Sequence, residues 1–182
     1  MDQWKRTLLT ATVLIALASV VYGVKYTTTL TYFNIATVES FTVTLPGQSP
    51  TTATVSPGTA TSNIEFNSTT GTDTCIDPCI ASSVTCQEAG TAIFVISNTG
   101  TVALDMSANF SASPPTCVKV GGSNTSRAAA CTGDIIDTTP VTIIEDLGPG
   151  LTANYWEAAN FTACTSGDTT SKLQSVGGVQ SS

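Results

Sequence analysis

Short runs in which apolar and polar residues alternate recur along most of this chain. In residues 24–33, Val24, Tyr26, Thr28, Leu30 and Tyr32 occupy one set of alternate positions and Lys25, Thr27, Thr29 and Thr31 the other. A period of two is the mark of a strand with one buried face. Phe41, Val43 and Leu45 alternate in the same way with Thr42 and Thr44 until Pro46-Gly47 ends the run, and Ile64 with Phe66 marks another short strand. Ala92-Ile93-Phe94-Val95-Ile96 is continuously apolar, as a central strand requires. Ser97-Asn98-Thr99-Gly100 follows, and then Val102, Leu104, Met106 and Ala108 alternate with their neighbours. Asn and Gly tolerate positive φ, so these two runs predict a hairpin. Further strands are predicted at 117–120, 141–144 and 151–156, the last two parted by Leu147-Gly148-Pro149-Gly150. Residues 72–90 read as a looped excursion and 165–182 as a polar tail or weak last strand. No amphipathic helix is predicted after Val24. Eight or nine short strands predict an all-β fold, a single β-sandwich or jelly-roll domain over 35–164 with an N-terminal strand at 24–34 before it.

The first 23 residues follow a different pattern. Lys5-Arg6 precede an uncharged, mostly apolar stretch from Thr7 to Val24, and Val21-Tyr22-Gly23 offers a small-x-small cleavage site, with Ala16-Leu17-Ala18 as a second. This is the layout of a secretory signal peptide, predicted at 1–23. Removing it leaves 159 residues with a net charge of −8. Two rivals fit the same residues. One is a membrane anchor over 7–24, at the lower length limit for a bilayer span; the other is a prepilin-type leader cut after Arg6.

Composition narrows the function classes. Of 182 residues only 10% are charged, 41% are hydrophobic, and the net charge is −7 with no histidine. Clustered cations are missing, so no nucleic-acid partner is expected. The lack of His removes the commonest general base. No Gly-x-Ser-x-Gly element or phosphate-binding glycine loop stands in a suitable context. No catalytic residue and no cofactor are therefore predicted.

Six cysteines, Cys75, Cys79, Cys86, Cys117, Cys131 and Cys164, all follow the leader. Even parity and export predict three disulfides, and the spacings do not suit zinc. Cys117 with Cys131 is the first expected pair, because they flank a polar Gly- and Ser-containing stretch. The 75–86 cluster should hold one internal pair and leave its third member for Cys164. Asp134 and Asp137 could share a loop and ligate calcium, although the bland reading of solvated loop acids competes and no metal site is predicted. Asn67, Asn109, Asn124 and Asn160 each begin an Asn-x-Ser/Thr glycosylation sequon.

The strand at 24–33 lacks Pro and carries one charge, so it has few of the devices that keep sheet edges from pairing with neighbours. A terminal strand with alternate apolar side chains suits donation into another subunit's sheet. A signal peptide, an N-terminal strand, one Thr-rich sandwich and sequons together resemble the archaeal bundling pili and thread filaments and the TasA-type biofilm matrix fibres. The resemblance implies an extracellular homopolymer built head to tail, with Val24, Tyr26, Thr28, Leu30 and Tyr32 as donor positions. It implies adhesion or bundling with neighbouring filaments or the cell surface, and no membrane contact after cleavage. The alternative is a monomeric surface or S-layer-associated binding module, in which the first strand folds into its own domain or residues 7–24 remain as an anchor.

Overall fold

A computed structural model of the chain describes residues 24–30, 40–47, 49, 51–52, 63–81, 85–165 and 169–182. The predicted signal peptide, or anchor, at 1–23 lies outside the described residues, as does Tyr32. Among the described residues no helix is long and apolar enough to cross a membrane.

The described residues form twelve strands and one helical turn: β1 (Val24–Leu30), β2 (Phe41–Thr44), β3 (Thr51–Thr52), β4 (Asn63–Ser68), β5 (Cys79–Ile80), β6 (Phe94–Asn98), β7 (Leu104–Phe110), β8 (Val118–Ser123), α1 (Arg127–Ala130), β9 (Asp134–Ile136), β10 (Val141–Leu147), β11 (Thr152–Phe161) and β12 (Thr169–Gln180). They form two six-stranded sheets, β10-β7-β12-β1-β4-β5 and β3-β2-β6-β11-β8-β9. The fold is all-β, as predicted. The alternating residues supply the core between the sheets. Phe41, Val43 and Leu45 meet Leu104, Met106, Ala108 and Phe110 from the facing sheet, with Phe66, Phe94 and Phe161 buried among them. Burying each of these phenylalanines contributes about 1.5–3 kcal/mol.

A further layer lies outside the second sheet. Trp156 and Ala158 point away from the inter-sheet core, against Ala92 and against Ala130 of α1, with Cys75 and Cys131 packed beside them. Thus β11 is buried on both faces. Ser126 caps α1 by accepting a bond from the Ala129 N–H at 3.1 Å.

Three expectations are corrected. The runs around 92–98 and 102–108 are not a hairpin, because β6 and β7 belong to different sheets. Asn98 is buried, and its side-chain amide donates to the carbonyls of Val102 and Leu147, so the Asn-Thr-Gly segment is a corner that passes the chain between layers. Of the two readings of 165–182, a tail or a weak last strand, the strand holds and its weakness does not: β12 runs for 12 residues between β7 and β1. The disulfides are Cys75–Cys131, Cys79–Cys86 and Cys117–Cys164. The internal pair in the 75–86 cluster is present, but Cys117 does not join Cys131. Cys117 packs against the inter-sheet core and Cys131 against the outer layer, so the second sheet stands between them.

Candidate functional site: the seat of the first strand

β1 is an interior strand. It pairs antiparallel with β4 on one side, with Tyr26 opposite Phe66 and Thr28 opposite Ile64. On the other side it pairs in parallel with β12, with Thr28 opposite Lys172 and Leu30 opposite Gln174. This corrects the reading of 24–33 as an exposed edge. Both of its hydrogen-bonding sides are taken within the chain, which explains why it carries neither Pro nor the usual protective charges. The even positions, singled out as donor positions, stand opposite the buried Ser68, Phe66 and Ile64 of β4.

Without β1 its sheet has two separate parts, β10-β7-β12 and β4-β5. The seat between them is one strand wide, so β12 and β4 lie about 9.5 Å apart across it, twice the ordinary strand spacing.

Beneath the β12 side of this seat lies a buried polar pair. Gln174 Nε2 donates to Glu157 Oε1 of β11, across the sandwich, and both residues are fully buried. Burial pushes the Glu157 carboxyl up to about 8, against the smaller opposing effect of the Gln174 bond. The same β11 face carries Tyr155, whose hydroxyl is pushed well above its ordinary range by burial, with Glu157 and Asp134 adding to the effect. That hydroxyl sits over Gly122, where a Cβ would lie 1.8 Å from it. Tyr155 also floors an open cavity of about 350 Å³, walled by Ser123, Gly133, Asp134 and Thr142.

The cysteine-rich segment completes the other edge of β11. Ile76 and Ala159 exchange two main-chain bonds of 2.9 Å, and the Phe161 N–H donates to the Asp73 carbonyl. Arg127 forks onto the Asp77 carboxylate, which raises the guanidinium pKa further. Asp73 accepts from the Ser68 hydroxyl at 2.7 Å and from the Thr69 and Thr70 main chain and the Thr70 hydroxyl. These bonds hold its carboxyl well below the usual carboxylate range.

The sequons differ in surroundings. Asn67 and Asn124 are exposed and Asn109 is half-buried. Asn160 is engaged through both ends of its amide, accepting from the Cys75 N–H at 2.8 Å and donating to the Cys131 carbonyl at 3.1 Å. Asp134 is exposed, and Asp137 accepts a bond from the neighbouring Thr138 N–H. Among the described residues no cluster of three or more His, Cys, Asp or Glu could hold a metal ion. Sequence reasoning missed Glu157, Gln174 and Gln87 altogether. Glu157 is the one acid inside the long run from Leu151 to Cys164, and that was the available signal.

Compared with known proteins, the chain matches no family model, no curated protein and no solved structure. Three disulfides point to an oxidising compartment.

Proposed function

We propose that this protein is a structural subunit of an extracellular filament, polymerising head to tail as β1 of one subunit enters the seat between β12 and β4 of the next. The observation that carries this reading is the position of β1. It comes from the N-terminal end of the domain, yet it alone joins β4-β5 to the rest of their sheet. A second copy of β1 offers the same hydrogen bonds and the same alternate positions, so exchange between chains costs little beyond association. Residues 31–39 link β1 to the remainder and can extend to about 30 Å. Donor and acceptor surfaces differ, so each exchange leaves a free seat at one end and the contact propagates.

A second reading also rests on β1. Here it pairs within its own chain, as it would in a monomeric surface-attached binding module. Mixed cysteine variants separate the two. Thr29 stands opposite Leu173 in the parallel pair. Subunits carrying only Thr29→Cys, mixed with subunits carrying only Leu173→Cys, should yield a disulfide-linked dimer after assembly. If the mixture stays uncrosslinked while the double variant closes within one chain, the filament reading fails and the module reading stands. Deleting 24–33 should likewise abolish polymers seen by electron microscopy.

A further inference from the structure

Glu157 and Gln174 face each other from opposite sheets, and one hydrogen bond between them is made, from Gln174 Nε2 to Glu157 Oε1. The two atoms left over, Glu157 Oε2 and Gln174 Oε1, are buried without a partner among the described residues. Both are acceptors if Glu157 is ionised, and two buried acceptors without a donor are costly. A carboxylic acid instead carries one O–H donor. A single proton on Oε2, turned toward Gln174 Oε1, would give both orphan atoms a partner and close a ring of two antiparallel hydrogen bonds, acid to amide and amide to acid.

We propose that this acid–amide ring is a proton-operated latch that fastens β11 to β12 where β1 ends, and that ionising Glu157 unfastens the sheets beside the β1 seat. Leu30, the last residue of β1, is the register partner of Gln174, so loosening Gln174 loosens that end of the seat. The latch requires only that β1 sit beside β12, whichever chain supplies it.

The surroundings favour the neutral acid. On β11 the nearest titratable group on the same face is Tyr155. On β12, Lys172 lies two residues from Gln174 on its face and is half-buried. β9 brings Asp134, a second negative group beside Tyr155. Behind β11, Asp77 is already bonded to Gln87 and Arg127. β7 and β4 bring Met106, Ala108, Phe110, Ile64 and Phe66 to the core, with Asp105 and Glu65 at the intervening positions. Lys25 of β1 and Lys119 of β8 occupy positions opposite Asn67 and Asn160. No salt bridge to Glu157 occurs among the described residues. The carboxyl correspondingly titrates near 8 rather than at its ordinary 4.5.

The sign follows from proton linkage. Between pH 4.5 and about 8 the unfolded chain has released the proton that the folded chain keeps. Stability contributed by the neutral ring is therefore full below that window, declines across it as pH rises, and is gone above it. The test is the urea midpoint of the exported protein measured from pH 5 to 9, beside Glu157→Gln. Gln supplies an N–H donor where the acid has O–H, so the variant keeps a two-bond ring that cannot titrate. The wild-type midpoint should fall relative to the variant until about pH 8 and then level off. Parallel curves overturn the proposal. Should the variant not fold, infrared difference spectra of wild-type protein carrying ¹³C-labelled glutamate decide the matter. A protonated carboxyl band at pH 6.5 that disappears around pH 8 supports the latch, and its absence at pH 6.5 overturns it.

Discussion

The side-chain amide of Gln87 pairs with the main chain of Glu157 as a neighbouring strand would. The Glu157 N–H donates to Gln87 Oε1 at 2.9 Å, and Gln87 Nε2 donates to the Glu157 carbonyl. β6 accompanies β11 only from Thr152 to Tyr155, and Ile76 takes over at Ala159. Gln87 fills the interval, itself fully enclosed at 2% exposure. Gln87→Leu removes both partners and leaves a buried N–H and a buried C=O unpaired. The expected loss is about 2–6 kcal/mol, from about 1–3 for each of the two orphaned groups. Urea unfolding of the variant measures it, and a loss below about 1 kcal/mol would mean that water or a shifted strand replaces the amide.

The three disulfides should differ in worth. Cys75–Cys131 and Cys117–Cys164 close loops of 56 and 47 residues, whereas Cys79–Cys86 spans 7. Loop-closure entropy assigns about 4 kcal/mol to each long loop and about 2 kcal/mol to the short one. Paired Cys→Ser variants should rank in that order by urea midpoint. Non-reducing peptide mapping should recover these three pairs, and a Cys117–Cys131 peptide would contradict the layering described above.

The parts of the fold that were legible in the sequence are those with one wet face. Phe41-Val43-Leu45 and Leu104-Met106-Ala108 alternate because the facing sheet covers one side only, and the structure buries those residues. β12 was only faintly legible, as a weak last strand, for a physical reason. Its inward positions are Gln174, Val176 and Gly178, so a single large apolar residue marks it. Gly178 is small because Met106 and Phe41 fill the space above it, where a Cβ would lie 3.1–3.2 Å away. The Asn98 corner imitates a hairpin turn because the same Asn-x-Gly residues suit both, and only the distant Leu147 carbonyl distinguishes them. Alternation alone marked β1 as a strand. The strands that flank it depend on pairings between residues more than 30 apart, which no local pattern encodes.

The four sequons should not be equivalent in a glycosylating host. Asn67 and Asn124 present exposed side chains. The Asn160 amide is committed to Cys75 and Cys131, so a glycan on its nitrogen takes one of its two N–H positions and crowds the outer layer beside the Cys131 carbonyl. Glycopeptide mapping of the folded protein from such a host should find Asn67 and Asn124 occupied and Asn160 bare. Asn160→Ala should also destabilise the domain, by about 1 kcal/mol, because it takes the hydrogen-bond partner from two half-buried main-chain groups. A fully occupied Asn160 in folded protein would contradict that arrangement.

Acid should undo the 68–73 turn before it undoes the core. The Asp73 carboxylate collects hydrogen bonds from Ser68, Thr69 and Thr70, and its pKa is lowered from the ordinary 3.8 by those donors. A depressed folded-state pKa means the ionised form stabilises the fold. That contribution is complete above 3.8 and is lost as pH falls through the lower folded value. The direction is opposite to that of Glu157, whose contribution is lost on the alkaline side, so the two groups act in separate pH ranges. Asp73→Asn retains one acceptor oxygen but no charge. Its urea midpoint should lie below that of the wild type near neutrality, and the two curves should converge as the pH is taken well below 3.8. A gap that stays constant down to pH 2 would mean that shape, rather than charge, carries the turn. Backbone amide exchange at Thr69 and Thr70, which donate to this carboxylate, should accelerate over the same interval relative to the amides of β7 in the core.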